Sequence, residues 1–115
     1  MAKKKSKEYA EYEVIMTQSA INDLNQIIDF IAQNNPRTAL VIMEKINKKA
    51  NSLGIFPYRG SYVPELLVRG IKAYRQVTES PWKIIYKIDA NIVNVLVIID
   101  SRRNLQDILI KKLIK

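Results

Sequence analysis

The chain contains neither cysteine nor histidine. The first absence removes disulfide cross-links and thiolate nucleophiles, and it suits a reducing compartment. The second removes the commonest general base and the commonest metal ligand. Acid–base chemistry therefore falls to Glu, Asp, Lys, Arg or Tyr. Only three glycines are present and none are clustered, so no glycine-rich phosphate loop is expected. The acids are dispersed, and no metal or other cofactor is expected. The longest apolar runs, IVNVLVII at 92–99 and DILIKKLI at 107–114, are too short and too interrupted to span a bilayer. The start, MAKKKSKEYAEYE, is charged and lacks the apolar segment of a secretory signal. A soluble cytoplasmic protein with no membrane partner is the expectation.

What is present is mainly apolar side chains and positive charge. A chain of 115 residues, 48% of them hydrophobic, suits one domain with one small core. Net charge is +8, unevenly spread. Residues 8–44 set Arg37 against six acids, a balance of −5, whereas 45–115 set fourteen Lys and Arg against five acids, a balance of +9. Lys3, Lys4, Lys5 and Lys7 add the remaining +4. Residues 1–8 read as a basic tail and 9–115 as the domain. A polyanion or an acidic protein is the natural partner of the basic half.

Periodicity gives the elements. Residues 11–17 alternate, with Tyr12, Val14 and Met16 on one face of a strand. Thr17 or Ser19 then caps a helix whose apolar stripe runs through Ala20, Ile21, Leu24, Ile27, Ile28, Ile31 and Ala32. Asn35 caps a second helix with Pro36 in its first turn, and Gly54 is positioned to stop it. The short link between the two helices demands an antiparallel hairpin. Residues 55–70 read as a structured loop with a short extended piece. Strands are predicted at 71–77, 82–88 and 92–100, joined by TESP and DAN, and a last helix starts at Ser101 or Asn104. The order β-α-α-β-β-β-α defines an α+β fold: a helical hairpin on a small, mainly antiparallel four-stranded sheet, with a C-terminal helix.

The polar residues left over are basic and aromatic. Pairing Val77 with Trp82 puts Arg75 on the face of Trp82, Ile84 and Tyr86, and puts Lys72 and Tyr74 with Lys83, Ile85 and Lys87. Cations beside rings suit phosphates and unpaired bases. The plainer alternative is a solvated face for Lys72, Lys83 and Lys87, and a half-buried structural arginine paired with an acid for Arg75.

The pieces YEVIMTQSAINDLNQIIDFIAQNNPRTA, FPYRGSYVPEL, AYRQV, WKIIYKI and VLVIIDSRRNLQDIL resemble, in order, the RelE/ParE superfamily of toxins from type II toxin–antitoxin systems. The resemblance implies a toxin neutralised by a cognate antitoxin with an acidic segment. It also implies one of two targets. RelE-like members cut mRNA on the ribosome without a metal; ParE-like members inhibit DNA gyrase. On the ribonuclease reading, Glu65 in VPEL is the candidate base, though the same pattern occurs in gyrase-directed members. Lys83 stands where the family commonly has Arg, Arg75 matches a recurrent strand arginine, and Arg102 and Arg103 match a basic pair after the last strand. Lys72, Tyr74, Lys87 and Arg59 are the further nucleic-acid-binding candidates. The C-terminal Tyr or His of many ribonuclease members is missing, and Leu109 falls about where such a Tyr lies. The first expectation is ribosome-dependent mRNA cleavage. The second is non-enzymatic gyrase inhibition, and the third a non-catalytic binding module.

Overall fold

The computed structural model describes residues 11–114. The basic tail expected at 1–8 lies outside them. β1 (Glu13–Met16) leads into α1 (Gln18–Ala32) and α2 (Pro36–Asn51). Short 3-10 turns at Ser52–Gly54 and Pro57–Arg59 precede β2 (Ser61–Tyr62) and α3 (Pro64–Leu67). β3 (Arg75–Glu79), β4 (Trp82–Asp89), β5 (Ile92–Asp100) and α4 (Leu105–Leu113) complete the order. Among the described residues, no helix is long and apolar enough to cross a membrane.

Caps fix where the helices start. Thr17 Oγ1 accepts from the Ala20 N–H and donates to the Val95 carbonyl at 2.7 Å, so one hydroxyl caps α1 and ties it to β5. Asn35 caps α2 by accepting from the Thr38 N–H, with Pro36 in the first turn. Gly54 does not stop α2 in a left-handed conformation. Its carbonyl accepts from Tyr12, and a Cβ there would sit 3.0 Å from the Tyr12 carbonyl, so its value is close approach to the chain entering β1.

The sheet has five strands rather than the expected four, in the order β1-β5-β4-β3-β2. β1 runs parallel to β5, and the other neighbours are antiparallel. The extra strand comes from the 55–70 loop, where Ser61 and Tyr62 pair with Gln76 and Arg75. β3 also starts later than expected, leaving Lys72 and Tyr74 outside it. Glu79, not Val77, faces Trp82 across a tighter turn. A slip of two residues preserves side-chain parity, so Arg75 does share its face with Ile84 and Tyr86.

β5 carries a bulge, which explains why its sequence is apolar on both faces. Ile85 pairs with Val97 but Tyr86 with Val95, leaving Leu96 as the extra residue. Val93, Val95 and Ile98 join Ile84 and Tyr86 in a core against Ala20, Leu24, Ile46, Ala50 and Leu53 of the helical hairpin and the turn after it. Val97 and Ile99 join Ile85 in a second core closed by Val63, Leu66, Leu105 and Leu109. The face of Lys83 and Ile85 is therefore partly covered by α3 and α4 and is not an open cationic surface. The α1 stripe is narrower than its sequence implies, since Ile21 is exposed.

Tyr86 fastens the irregular segment to the sheet. Its fully buried hydroxyl donates to the Pro57 carbonyl at 2.7 Å and accepts from the Gly60 N–H at 3.1 Å. Burial pushes its pKa above 10.0 against the opposing pull of the Gly60 N–H, Arg75 and Arg59, so the phenol stays a neutral donor. Only glycine fits at position 60, because a Cβ would lie 2.5 Å from both the Gln76 carbonyl and Tyr86 Oη. Tyr86→Phe, which leaves two buried backbone groups unpaired, should lower unfolding free energy by about 1–3 kcal/mol. Gly60→Ala should cost more than Tyr86→Phe. Urea denaturation tests both, and an unchanged midpoint for Tyr86→Phe would mean that this loop is held by other contacts.

Candidate functional site

The segment that Tyr86 holds is clamped a second time by Arg75 on β3. The Arg75 guanidinium donates to the Gly60 carbonyl at 2.7 Å and reaches the Tyr58 carbonyl at 3.5 Å. Its central carbon lies 4.6 Å from the Tyr62 ring centroid and 5.2 Å from that of Tyr58. A planar, weakly hydrated cation suits this position between two rings. Arg75 is half-buried, and its partners are carbonyls and aromatic faces instead of an acid. Lys72 and Lys87 line a cleft of about 290 Å³ beside it, with Tyr58 and Tyr62. Among the described residues the ion pairs are Lys49–Glu79, Arg102–Asp100 and Lys112–Asp23, so Lys72 and Lys87 remain unpaired.

A second region lies past the end of β5. Arg102 chelates Asp100: its Nε donates to Oδ1 at 2.9 Å and a terminal amine donates to Oδ2. The Arg102 backbone N–H adds a third bond at 2.9 Å. These side-chain and backbone hydrogen bonds from Arg102 lower the Asp100 pKa from 3.8 to about 2. Arg102 and Arg103 edge a cleft of about 500 Å³ whose apolar wall includes Ile27, Phe30, Ile31 and Trp82. Phe30 is 72% exposed there. Asp23 buttresses the same cleft. Beyond Val95 the outer edge of β5 has no β1 partner, and Asp23 Oδ2 accepts from the Ile98 N–H at 3.0 Å. Its other oxygen accepts from Lys112 at 2.7 Å, tying α4 to α1.

The expected catalytic residues do not share a cleft. Arg75 lines the small basic cleft, while Arg102 and Arg103 line the larger one. Glu65, Lys83 and Tyr74 line neither. Glu65 sits on the one-turn α3, with Oε1 shielded and without a hydrogen-bond partner among the described residues. Lys83 lies half-buried in register with Thr78 and Ile99. Tyr74 packs against the second core. Leu109, where a ribonuclease tyrosine is expected, is completely buried in that core. Arg59 is exposed and donates to Ser52 Oγ at 2.9 Å. Sequence reasoning passed over Lys45, Lys48 and Lys49, which share a cleft with Arg59. The available signal was the spacing KxxKK in the last turns of α2. It also passed over Phe30, whose helical phase marked it as outward-facing and apolar.

The sequence matches the family model described as the ParE toxin of the type II toxin–antitoxin system parDE over residues 14–105. The chain belongs to this family, within the RelE/ParE superfamily of toxins. Comparison with curated proteins gives no match. Among solved structures it is similar to the chromosomal ParDE toxin–antitoxin system from P. aeruginosa, with a TM-score of 0.66 and 20% identity over 79% of this chain and 97% of that one. It is also similar to the toxin–antitoxin complex RelBE2 from Mycobacterium tuberculosis, with a TM-score of 0.56 and 21% identity over 78% of this chain and 98% of that one. At these identities the likeness is one of fold.

The Asp100–Arg102 pair has a defined acid response. A carboxylate whose pKa falls on folding adds stability above its ordinary value, here 3.8, and loses it as pH drops from there through about 2. The pair is solvent-exposed, so the stability effect should be small. Carboxyl NMR titration should place Asp100 near 2 in the native chain, and Arg102→Ala should raise it toward, but not fully to, 3.8, because the backbone N–H of residue 102 still donates to it. An unshifted value in the native chain would dissolve the pair.

Proposed function

We propose that this toxin acts by binding, with DNA gyrase as its target, and that a cognate antitoxin with an acidic segment neutralises it. The observation that carries this reading is that Arg75 lies on the sheet face opposite Lys83 and that two of the presumed catalytic arginines are engaged within the chain. Arg75 is engaged with its own loop and Arg102 with Asp100, and the Leu109 position is sealed in a core. General acid–base catalysis needs its groups within hydrogen-bond reach of one reacting site. The match to the ParE family supports the same target. The cleft between α1 and the ends of β4 and β5, with Phe30 and Trp82 beside Arg102 and Arg103, is the surface we assign to the antitoxin. Apolar anchors rimmed by cations suit a helix that is apolar on one side and acidic on the other.

Ribosome-dependent mRNA cleavage has one specific observation in its favour. Glu65 keeps a shielded, unpartnered carboxylate oxygen on the same covered side of the sheet as the unpaired Lys83.

Induced expression in a bacterial host, with pulse labelling of DNA and protein synthesis, separates the two. On the gyrase reading DNA synthesis stops first, purified chain inhibits supercoiling by gyrase, and Glu65→Gln and Lys83→Ala remain toxic. An early stop in translation with cleaved messages, abolished by Lys83→Ala, would replace it with the ribonuclease reading.

A further inference from the structure

Three of the clefts on this chain join end to end. Tyr58 lines both the basic cleft of Lys72, Arg75 and Lys87 and a shallow neighbour formed with Phe56 and Arg59. Arg59 in turn lines the next cleft, with Lys45, Lys48 and Lys49 at the end of α2. The shared residues make one continuous track from β3 and β4, over the 3-10 turn at Pro57–Arg59, to the last turns of α2. Seven cations line it against a single acid, Glu79, which pairs with Lys49 at 4.0 Å. Two aromatic rings stand open along its middle, Phe56 and Tyr58, each 59% exposed.

We infer that this track binds a single strand of nucleic acid, with the lysines on its phosphates and the Phe56 and Tyr58 rings under its bases. A run of seven cations with one acid among them attracts any polyanion, so charge alone does not choose the partner. The rings do. Phe56 and Tyr58 leave large apolar faces in water between cations, the arrangement on which unpaired bases stack. In a duplex the base faces are occupied by one another, and an acidic peptide has no flat face to offer. Tyr58 is also held in place, because Arg75 lies against one side of its ring and its carbonyl. The 3-10 turn that carries Tyr58 is fixed from below by Tyr86. A ring on a fixed turn loses little freedom when a base stacks on it.

The track is separate from the cleft of Phe30, Arg102 and Arg103, and strand binding there does not require gyrase to be the target. A chain that leaves gyrase untouched yet holds single strands through Tyr58 would keep this inference and remove the other.

The test is fluorescence anisotropy of the full chain with labelled oligothymidylate and oligouridylate of about 12 nucleotides, within the range that single-strand grooves occupy. Both should bind, and the tighter one assigns the strand as DNA or RNA. Affinity should fall with salt, and the double variant Lys72→Ala/Lys87→Ala should flatten that dependence by about 0.7 in log–log slope for each phosphate it no longer neutralises. Tyr58→Ala should weaken binding by at least about five-fold, with Tyr58→Phe restoring it. Lys111→Ala removes one lysine charge, half that of the double variant, from an exposed position on α4 and should bind as the native chain does. Lys72 is exposed and Lys87 half-buried at the rim of the cleft, and thermal unfolding of the double variant should match the native chain. Native-like binding by that variant would overturn the inference. So would equal displacement by an oligoglutamate of matched charge, which would mean that the surface reads charge alone.

Discussion

A buried phenol must place its hydrogen, and Tyr86 does so on a part of the chain with little regular structure. Its hydroxyl meets the Pro57 carbonyl and the Gly60 N–H, twenty-nine and twenty-six residues away in sequence. In a low-dielectric core these bonds are costly to lose, because no water replaces the partners. The 57–60 segment is thereby fixed over the centre of the sheet, and the neighbouring contacts depend on its position. Ser61 and Tyr62 can pair with β3 only if Gly60 is close, and Gly60 is close only because it has no Cβ. Arg75 then finds a carbonyl and two rings at the right distance. One tyrosine thus sets the position of the aromatic surface without touching solvent itself.

The bulge in β5 solves a different problem. A strand whose residues alternate strictly feeds one core per face in fixed phase. Leu96 breaks the phase, so β5 serves the helical hairpin with Val93 and Val95 at one end and the α3–α4 cover with Val97 and Ile99 at the other. This dual burial partly covers the sheet face that carries Lys83. The end of β5 that β1 does not reach is completed by Asp23, whose two oxygens hold the Ile98 N–H and Lys112. Helix, strand edge and C-terminal helix therefore meet at one carboxylate, beside the larger cleft.

Much of this was legible in sequence because local rules and burial agreed. Thr17 and Asn35 cap as their chemistry predicts, and the 82–88 and 92–100 strands lie where the apolar runs place them. What was not legible depended on contacts distant in sequence. A two-residue strand at Ser61 has no periodicity to display, so the fifth strand emerges only once Gly60 meets Tyr86. Lys72 and Tyr74 looked like strand residues because alternation ran through them, but pairing starts at Arg75. The site was less legible than the fold for a related reason. Resemblance assigns roles to residue types in order, and a role requires convergence in space. Lys83 and Glu65 fall outside the clefts that hold the arginines, while Lys45, Lys48 and Lys49 come beside Arg59 from another element.

Arg75 shows why loss of activity on mutation is a poor guide to role in this chain. Its guanidinium is at once a cation at the cleft and the donor that fixes the Gly60 carbonyl. Replacing it with alanine removes a charge, two ring contacts and a structural hydrogen bond together, so a change in activity would not say which of them matters. Lysine at the same position keeps the charge but not the planar fork, and so isolates the structural share. The side chains of Lys72 and Lys87 make no hydrogen bond or ion pair among the described residues, so their removal reports mainly on charge. A surface built around a shared arginine must therefore be read from its lysines first. An Arg75 defect counts as functional only after Arg75→Lys has been shown to hold the 57–62 segment in place.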